Sequence, residues 1–296
     1  MKIIDILKKR PTLSCEIFPP KSKQGAISMI YKTIEELAKL SPDFISVTYG
    51  AGGSTTKNTV EIASCIKNKY HIESVAHLSC IDATKESLTQ VLDDLKTEGI
   101  ENILALRGDY PKDYDPALAP HEFHHATDLD AYITQHYPDT FCLSGACYPE
   151  MHYEAESITQ DLENLKKKVD AGAQYLITQI FFDNRYYYRL VKEARKIGIT
   201  VPIIAGIMPA TNAKQLKRIA KISNCTIPYE LFALISRFED NPEAMREAGL
   251  HYATNQIIDL MTNGVDGIHL YTMNKPEYVI EILDRLKFIR DEFKDD

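Results

Sequence analysis

The chain has 296 residues and a mass of 33.6 kDa, with 44% hydrophobic and 26% charged residues. These values exclude a disulfide mini-protein, a fibre or a largely disordered chain, and leave one large domain or two ordinary ones. With 34 Lys and Arg against 42 Asp and Glu the net charge is −8, the wrong sign for wrapping nucleic acid or lying on an anionic membrane, although a local basic pocket for a small anion stays open.

Short β-rich runs alternate with helical patterns. The runs are Thr12–Phe18, Asp43–Tyr49, Glu73–Ser79, Asn102–Arg107, Thr140–Ala146, Tyr175–Phe181, Val201–Ile207 and Gly267–Thr272. Several are continuously apolar, which favours parallel strands covered on both faces. Helical spacing is kept by Leu88, Val91, Leu92 and Leu95, by Ile158, Leu162, Leu165 and Val169, by Leu190, Val191, Ala194 and Ile197, and by Ile282, Leu283, Leu286 and Ile289. Gly99, Gly172 and Gly198 stand where helices should end. Eight such units predict a single-domain (β/α)8 TIM barrel over residues 1–296. An open doubly wound sheet competes, but no GxGxxG follows the first strand and no Pro/Gly-rich linker divides the chain. Two segments exceed ordinary connections: 108–127, and extra helical material at about 228–264.

The six cysteines, at 15, 65, 80, 142, 147 and 225, form no CxxC and no zinc-like spacing. The opening MKIIDILKKRPTLSCEIF lacks a signal peptide's apolar stretch, and no window has the length of a membrane helix. The expectation is a reduced, cytoplasmic protein with free and mostly buried thiols.

A (β/α)8 barrel carries its site at the C-terminal ends of its strands. The residues falling there are polar: Glu16, Thr48, Tyr49, His77, Arg107, Asp109, Tyr148 and Gln179, with Lys275 just after the eighth run. Glu16 is a lone acid among apolar neighbours, where desolvation should raise its pKa and suit it to general acid work; a structural ion pair with Arg or Lys is the alternative. Asp109 follows Arg107 and Gly108, either at a close backbone approach to a ligand or in a turn with an Arg–Asp pair. Residues 48–54, TYGAGGS, have the order of a phosphate-cradling turn but lack GK[ST]. Asp161, Asn164 and Lys168 fall on one helical face with Lys167 at its edge, a row suited to an extended cofactor or simply to solvent. The cluster HEFHH, with His121, His124 and His125, is not HExxH and completes no metal pattern, so no metal is expected.

The stretches SCEIFPPKS, PDFISVTYGAGGST, AHLSCIDAT, NILALRGDYP, CYPEMHYEA, DLENLKKKVDAGAQYLITQIFFD, AGIMP and IHLYTMNK run in order from about 14 to 275. In them the chain resembles the methylenetetrahydrofolate reductases, specifically the short bacterial form that is only the catalytic barrel. The resemblance implies an FAD enzyme that reduces 5,10-methylenetetrahydrofolate to 5-methyltetrahydrofolate, with NADH or NADPH as donor in alternating half-reactions. It implies Glu16 as general acid and Asp109 as the carboxylate that contacts the pterin and tunes the flavin. Gln179, Gln215 and Lys275 match substrate contacts. Thr48, Tyr49, His77, Arg107, Gly108, Asp109, His125, Ala126, Tyr148, His152, Ala155, Asp161, Asn164, Lys167 and Lys168 match FAD contacts. Tyrosine is common in the family at the place of His125, and phenylalanine in some members at that of Ile219. The resemblance also implies a homo-oligomer. Two rivals stand beside it: a flavin-free pterin-binding transferase of the same fold, and a non-catalytic flavin- or folate-binding subunit.

Overall fold

A computed structural model of the chain describes residues 1–19, 24–49, 53–109 and 120–292. Eight parallel strands close in sequence order: β1 Thr12–Ile17, β2 Phe44–Val47, β3 Glu73–Ser79, β4 Asn102–Leu106, β5 Cys142–Cys147, β6 Ala173–Thr178, β7 Ile203–Ile207 and β8 Gly267–Tyr271. The expected barrel is present and the open sheet is not. Closure follows from the apolar runs. Each strand buries one row of side chains against the helices and the other inside the barrel, so no strand edge is left to pair with another chain.

The helices are α1 Ile3–Leu7, α2 Gln24–Ala38, α3 Gly53–Ser64, α4 Lys85–Thr97, α5 Ala126–His136, α6 Ile158–Asp170, α7 Asn184–Lys196, α8 Ala213–Ile222, α9 Tyr229–Phe238, α10 Pro242–Thr262, α11 Pro276–Arg285 and α12 Lys287–Glu292. A one-turn π-helical segment at Cys65–Lys69 prolongs α3. Gly99, Gly172 and Gly198 follow α4, α6 and α7 with φ of +73°, +133° and +83°, the left-handed ends that the glycines announced. The extra material at about 228–264 is α9 and α10.

Two expectations shift. The run Tyr175–Phe181 is a strand only as far as Thr178, and β6 begins earlier, at Ala173. Ile180, Phe181 and Phe182 remain buried after the strand has ended, because they pack in the loop above it. The periodic stretch from Ile282 to Ile289 is two helices, since the chain breaks at Leu286 with φ −96° and ψ 4°.

Short α1 closes the N-terminal end of the barrel. Ile3 is fully buried in a cluster with Phe44, Val75, Leu104, Tyr175 and Ile204. Its backbone N–H donates to Asn102 Oδ1 at 2.8 Å, and Asn102 Nδ2 donates to the Met1 carbonyl at 3.1 Å. The opposite end is left for chemistry. There α10 approaches the β7 exit so closely that a Cβ on Gly249 would stand 2.1 Å from the Ala210 carbonyl oxygen and 2.4 Å from its carbon. Both are backbone atoms and cannot step aside. Gly249→Ala should therefore cost about 1–3 kcal/mol, read as a lowered urea midpoint at unchanged m; an unchanged midpoint would contradict this packing.

Candidate active site

Glu16 is 6% exposed and reaches into the barrel from β1. Its Oε2 lies 3.5 Å from His77 Nε2 on β3 and 3.7 Å from His269 Nε2 on β8. Among the described residues no Lys or Arg pairs with it. Burial pushes the His77 imidazole down to about 4, so it is neutral near pH 7. His269 is held from below by Ser14, whose Oγ lies 2.7 Å from Nδ1, and stacks on Phe44 with ring centroids 5.9 Å apart.

The backbone around Glu16 is locked across the β8–β1 seam. Thr272 Oγ1 donates to the Glu16 carbonyl at 2.6 Å. Asn274 accepts from the Phe18 N–H through Oδ1 and donates to the Phe18 carbonyl through Nδ2, both at 2.9 Å. Met273 and Asn274 adopt φ of +52° and +56° to make this turn. Thr272, Asn274 and His269 were not singled out from sequence. Asparagine's tolerance of left-handed backbone was the available signal for Asn274; His269 looks like any strand residue.

On β3 and β4, Ser79 Oγ donates to the Arg107 carbonyl at 2.8 Å. A Cβ on Gly108 would fall 1.9 Å from that Oγ, and φ there is +88°, so the position requires glycine and exposes backbone at the strand end. Asp109 follows, exposed. Arg107 does not pair with it, as the turn alternative supposed. Its guanidinium grips Glu154 through Nη1 at 2.6 Å and Nη2 at 2.9 Å, which pulls the Glu154 carboxyl down to about 2. Thr48 and Tyr49 follow β2, partly buried, and α3 starts at Gly53; residues 50–52 of the glycine turn, and 110–119 of the long loop, lie outside the described residues. His125 is the exposed N-cap of α5, with Ala126 buried behind it.

On α6 the polar row divides. Asp161 Oδ2 accepts from the His152 N–H at 3.1 Å, and Lys168 Nζ donates to the Ala146 carbonyl at 2.6 Å, so both turn toward the β5 end. Burial raises the Asp161 carboxyl and lowers the Lys168 ammonium. Gly145 makes room for the lysine stem: a Cβ there would meet Lys168 Cδ at 2.3 Å. Lys167 Nζ donates instead to Asn164 Oδ1 at 3.2 Å, on the exposed side. Tyr148 and His152 meet edge to face at 4.6 Å, and the Ala155 N–H donates to the His152 carbonyl at 3.0 Å.

Gln179 follows β6. Its N–H donates to the Cys147 carbonyl at 2.7 Å, and its Oε1 accepts from the Ile180 N–H at 2.8 Å, which fixes the amide with Nε2 as the group left to donate. Gln215, in the first turn of α8, and Lys275 line one shallow cleft with Met208, Tyr271 and Thr272. Lys275 Nζ donates to Tyr278 Oη at 3.1 Å. Ile219 packs partly buried in the small core under this cleft.

The strand ends thus hold a buried acid, a glycine approach, a guanidinium, a partly buried ammonium, and aromatic rings. This donor set fits an extended anionic cofactor lying across β2–β5, beside a cleft over β7 and β8. Among the described residues no group of three or more His, Cys, Asp or Glu is placed to hold a metal ion, and no helix is long and apolar enough to cross a membrane.

The family model described as methylenetetrahydrofolate reductase matches residues 2–287. Methylenetetrahydrofolate reductase (NADH) 1 of Arabidopsis thaliana is 38% identical over 98% of this chain and 51% of its own length. The chain therefore spans about half the length of the plant relatives it matches. The 5,10-methylenetetrahydrofolate reductase of Escherichia coli is also 38% identical, over 90% of this chain and 87% of its own. Among solved structures, an uncharacterised Clostridium thermocellum protein described as binding two copies of 5-methyl-5,6,7,8-tetrahydrofolic acid superposes with a TM-score of 0.64 at 16% identity, covering 96% of this chain and 99% of that one. A Xanthomonas albilineans dihydropteroate synthase gives 0.51 at 9% identity, over 95% and 94%; both show a shared fold. With the family match running almost end to end and the bacterial relative covered nearly whole, the chain belongs to the methylenetetrahydrofolate reductase family.

Proposed function

We propose that the chain reduces 5,10-methylenetetrahydrofolate to 5-methyltetrahydrofolate, with FAD as its resident cofactor and a reduced nicotinamide as donor. NADH is the first choice because plant relatives carry it in their names. The observation that carries the reading is Glu16: a buried carboxyl at the floor of the barrel mouth, beside two imidazoles and, among the described residues, without a guanidinium or ammonium partner.

FAD held here would supply the hydride chemistry that links nicotinamide to folate. The protein's own groups bind, orient and move a proton. Arg107 and Lys168 would face the diphosphate, and Gly108 would let the backbone approach the ring system. Thr48, Tyr49, His77, Tyr148, His152, Ala155 and Asp161 would line the remainder, with His125, Ala126, Asn164 and Lys167 toward the adenosine end. Arg107 must exchange Glu154 for phosphate oxygen when the cofactor enters. Glu16 delivers the proton that opens the five-membered ring of the folate. Neutral His77 and Ser14-braced His269 flank its carboxyl at 3.5 and 3.7 Å. Asp109 accepts from the pterin, Gln179 donates through Nε2, and Gln215 and Lys275 bind the folate along the β7–β8 cleft, with the ammonium suited to the glutamate tail.

This reading includes a cytoplasmic, reducing location, with which six free thiols agree, and a homo-oligomeric assembly. A flavin-free transferase would have no use for the Asp161 and Lys168 set at the β5 end.

Two variants test the roles. Glu16→Gln should retain FAD and its reduction by NADH, yet slow the folate half-reaction by at least about a hundredfold, the usual worth of a general acid; near-normal folate turnover would remove the assignment. Asp109→Asn should slow folate reduction about tenfold more than nicotinamide oxidation, the loss of one charge-assisted hydrogen bond. Stopped-flow traces with both steps equally affected would count against it.

A further inference from the structure

Asp130 lies in α5, outside every role assigned above. It is 0% exposed, and neither carboxylate oxygen accepts a hydrogen bond from a described residue. Ala126, Leu129, Asp130 and Ile133 form the buried stripe of α5, so the acid stands where an apolar side chain belongs. Such a group is costly to bury unless it acts on a charge.

Helix α5 packs against β4 and α6, and the Lys168 ammonium of α6 pulls down the Asp130 carboxyl against the burial that raises it. The other titratable groups nearby are Cys80 after β3, which feels both Asp130 and Asp128 of α5, and Cys147 and Asp161, which face Lys168. Both thiols are pushed up to about 12 by burial and stay neutral. The lysine's reach is fixed: its stem crosses Gly145 and its Nζ is tied to the Ala146 carbonyl at the strand end.

We propose that Asp130 is a positioning residue for Lys168 and that its protonation controls how strongly the β5 end holds an anion, the flavin diphosphate on the reading above, on which this inference rests. With Asp130 protonated, the full charge of Lys168 faces the ligand. With Asp130 ionised, the pair is close to neutral and the anion is held less tightly. Burial raises the Asp130 carboxyl to about 8, against about 3.9 for an unfolded chain. The folded state therefore keeps a proton that the unfolded state releases. The stability this proton contributes is complete below about pH 4 and is lost as pH rises through about 8.

The test uses the full chain freed of flavin, titrated with FAD at pH 6.5 and 8.5 at fixed ionic strength, with binding read by fluorescence quenching. Wild type should lose affinity by about threefold to fourfold over this rise, close to the ceiling that one carboxyl titrating near 8 allows. Asp130→Asn should change by less than about twofold and bind more tightly than wild type at the higher pH. Asp130→Leu, which restores the apolar stripe, should match it and covers the case in which the amide folds poorly. Urea midpoints of the same flavin-free proteins should diverge as pH rises, wild type losing stability relative to both variants. Parallel pH dependence in wild type and variants, with FAD bound by all, would overturn this inference and leave the flavin reading standing. FAD binding by none of them at either pH would overturn the flavin reading and, with it, the anion assigned to Lys168.

Discussion

Closing a barrel requires its last strand to return to its first, and here that seam also builds the acid site. β8 pairs with β1 from Thr12 opposite Gly267 to Glu16 opposite Tyr271. Beyond the ladder, Thr272 and Asn274 continue to bond β1 by side chain, at Glu16 and Phe18. The backbone of Glu16 is therefore determined from both sides, while its carboxyl meets imidazoles from β3 and β8. A hydrogen-bonded seam is stiff, and a general acid needs placement to within tenths of an ångström. Barrel closure and site geometry are one constraint.

The charges follow from the same arrangement. On the proposed reading a chain with net charge −8 must still attract an anionic cofactor, and the groups available for this are a few cations placed at strand ends. Arg107 is held ready by Glu154, and Lys168 is held by a carbonyl and by the field of Asp130 and Asp161. Both cations are thus engaged by groups that a phosphate can replace or outweigh. Low local dielectric makes each such exchange worth more than at the surface.

Much of this was legible in the sequence because burial leaves a one-dimensional trace. Fully covered parallel strands are apolar throughout, so eight runs sufficed for the barrel, and a lone acid inside one of them marked Glu16. The trace records burial and not hydrogen bonding. That is why β6 was drawn too long through Phe181, and why the helix break at Leu286 left no sign. At the candidate site, strand-end polarity pointed to His77, Arg107 and Gln179, which lie at this end of the barrel. It passed over His269, which points inward from mid-strand, and Thr272 and Asn274, whose importance lies in contacts about 250 residues away in sequence. Asp130 did leave a trace, an acid at a buried position of the α5 period, but among helical acids it reads as solvent-facing until the packing of α5 on α6 is seen.

The central claim is a nicotinamide-reducible flavin at this barrel mouth. The most direct measurement is the absorbance spectrum of the purified full chain, supplied with FAD, before and after NADH is added without oxygen. Flavin bands should bleach on NADH addition and return when 5,10-methylenetetrahydrofolate follows. A protein that takes up no flavin from added FAD would contradict it.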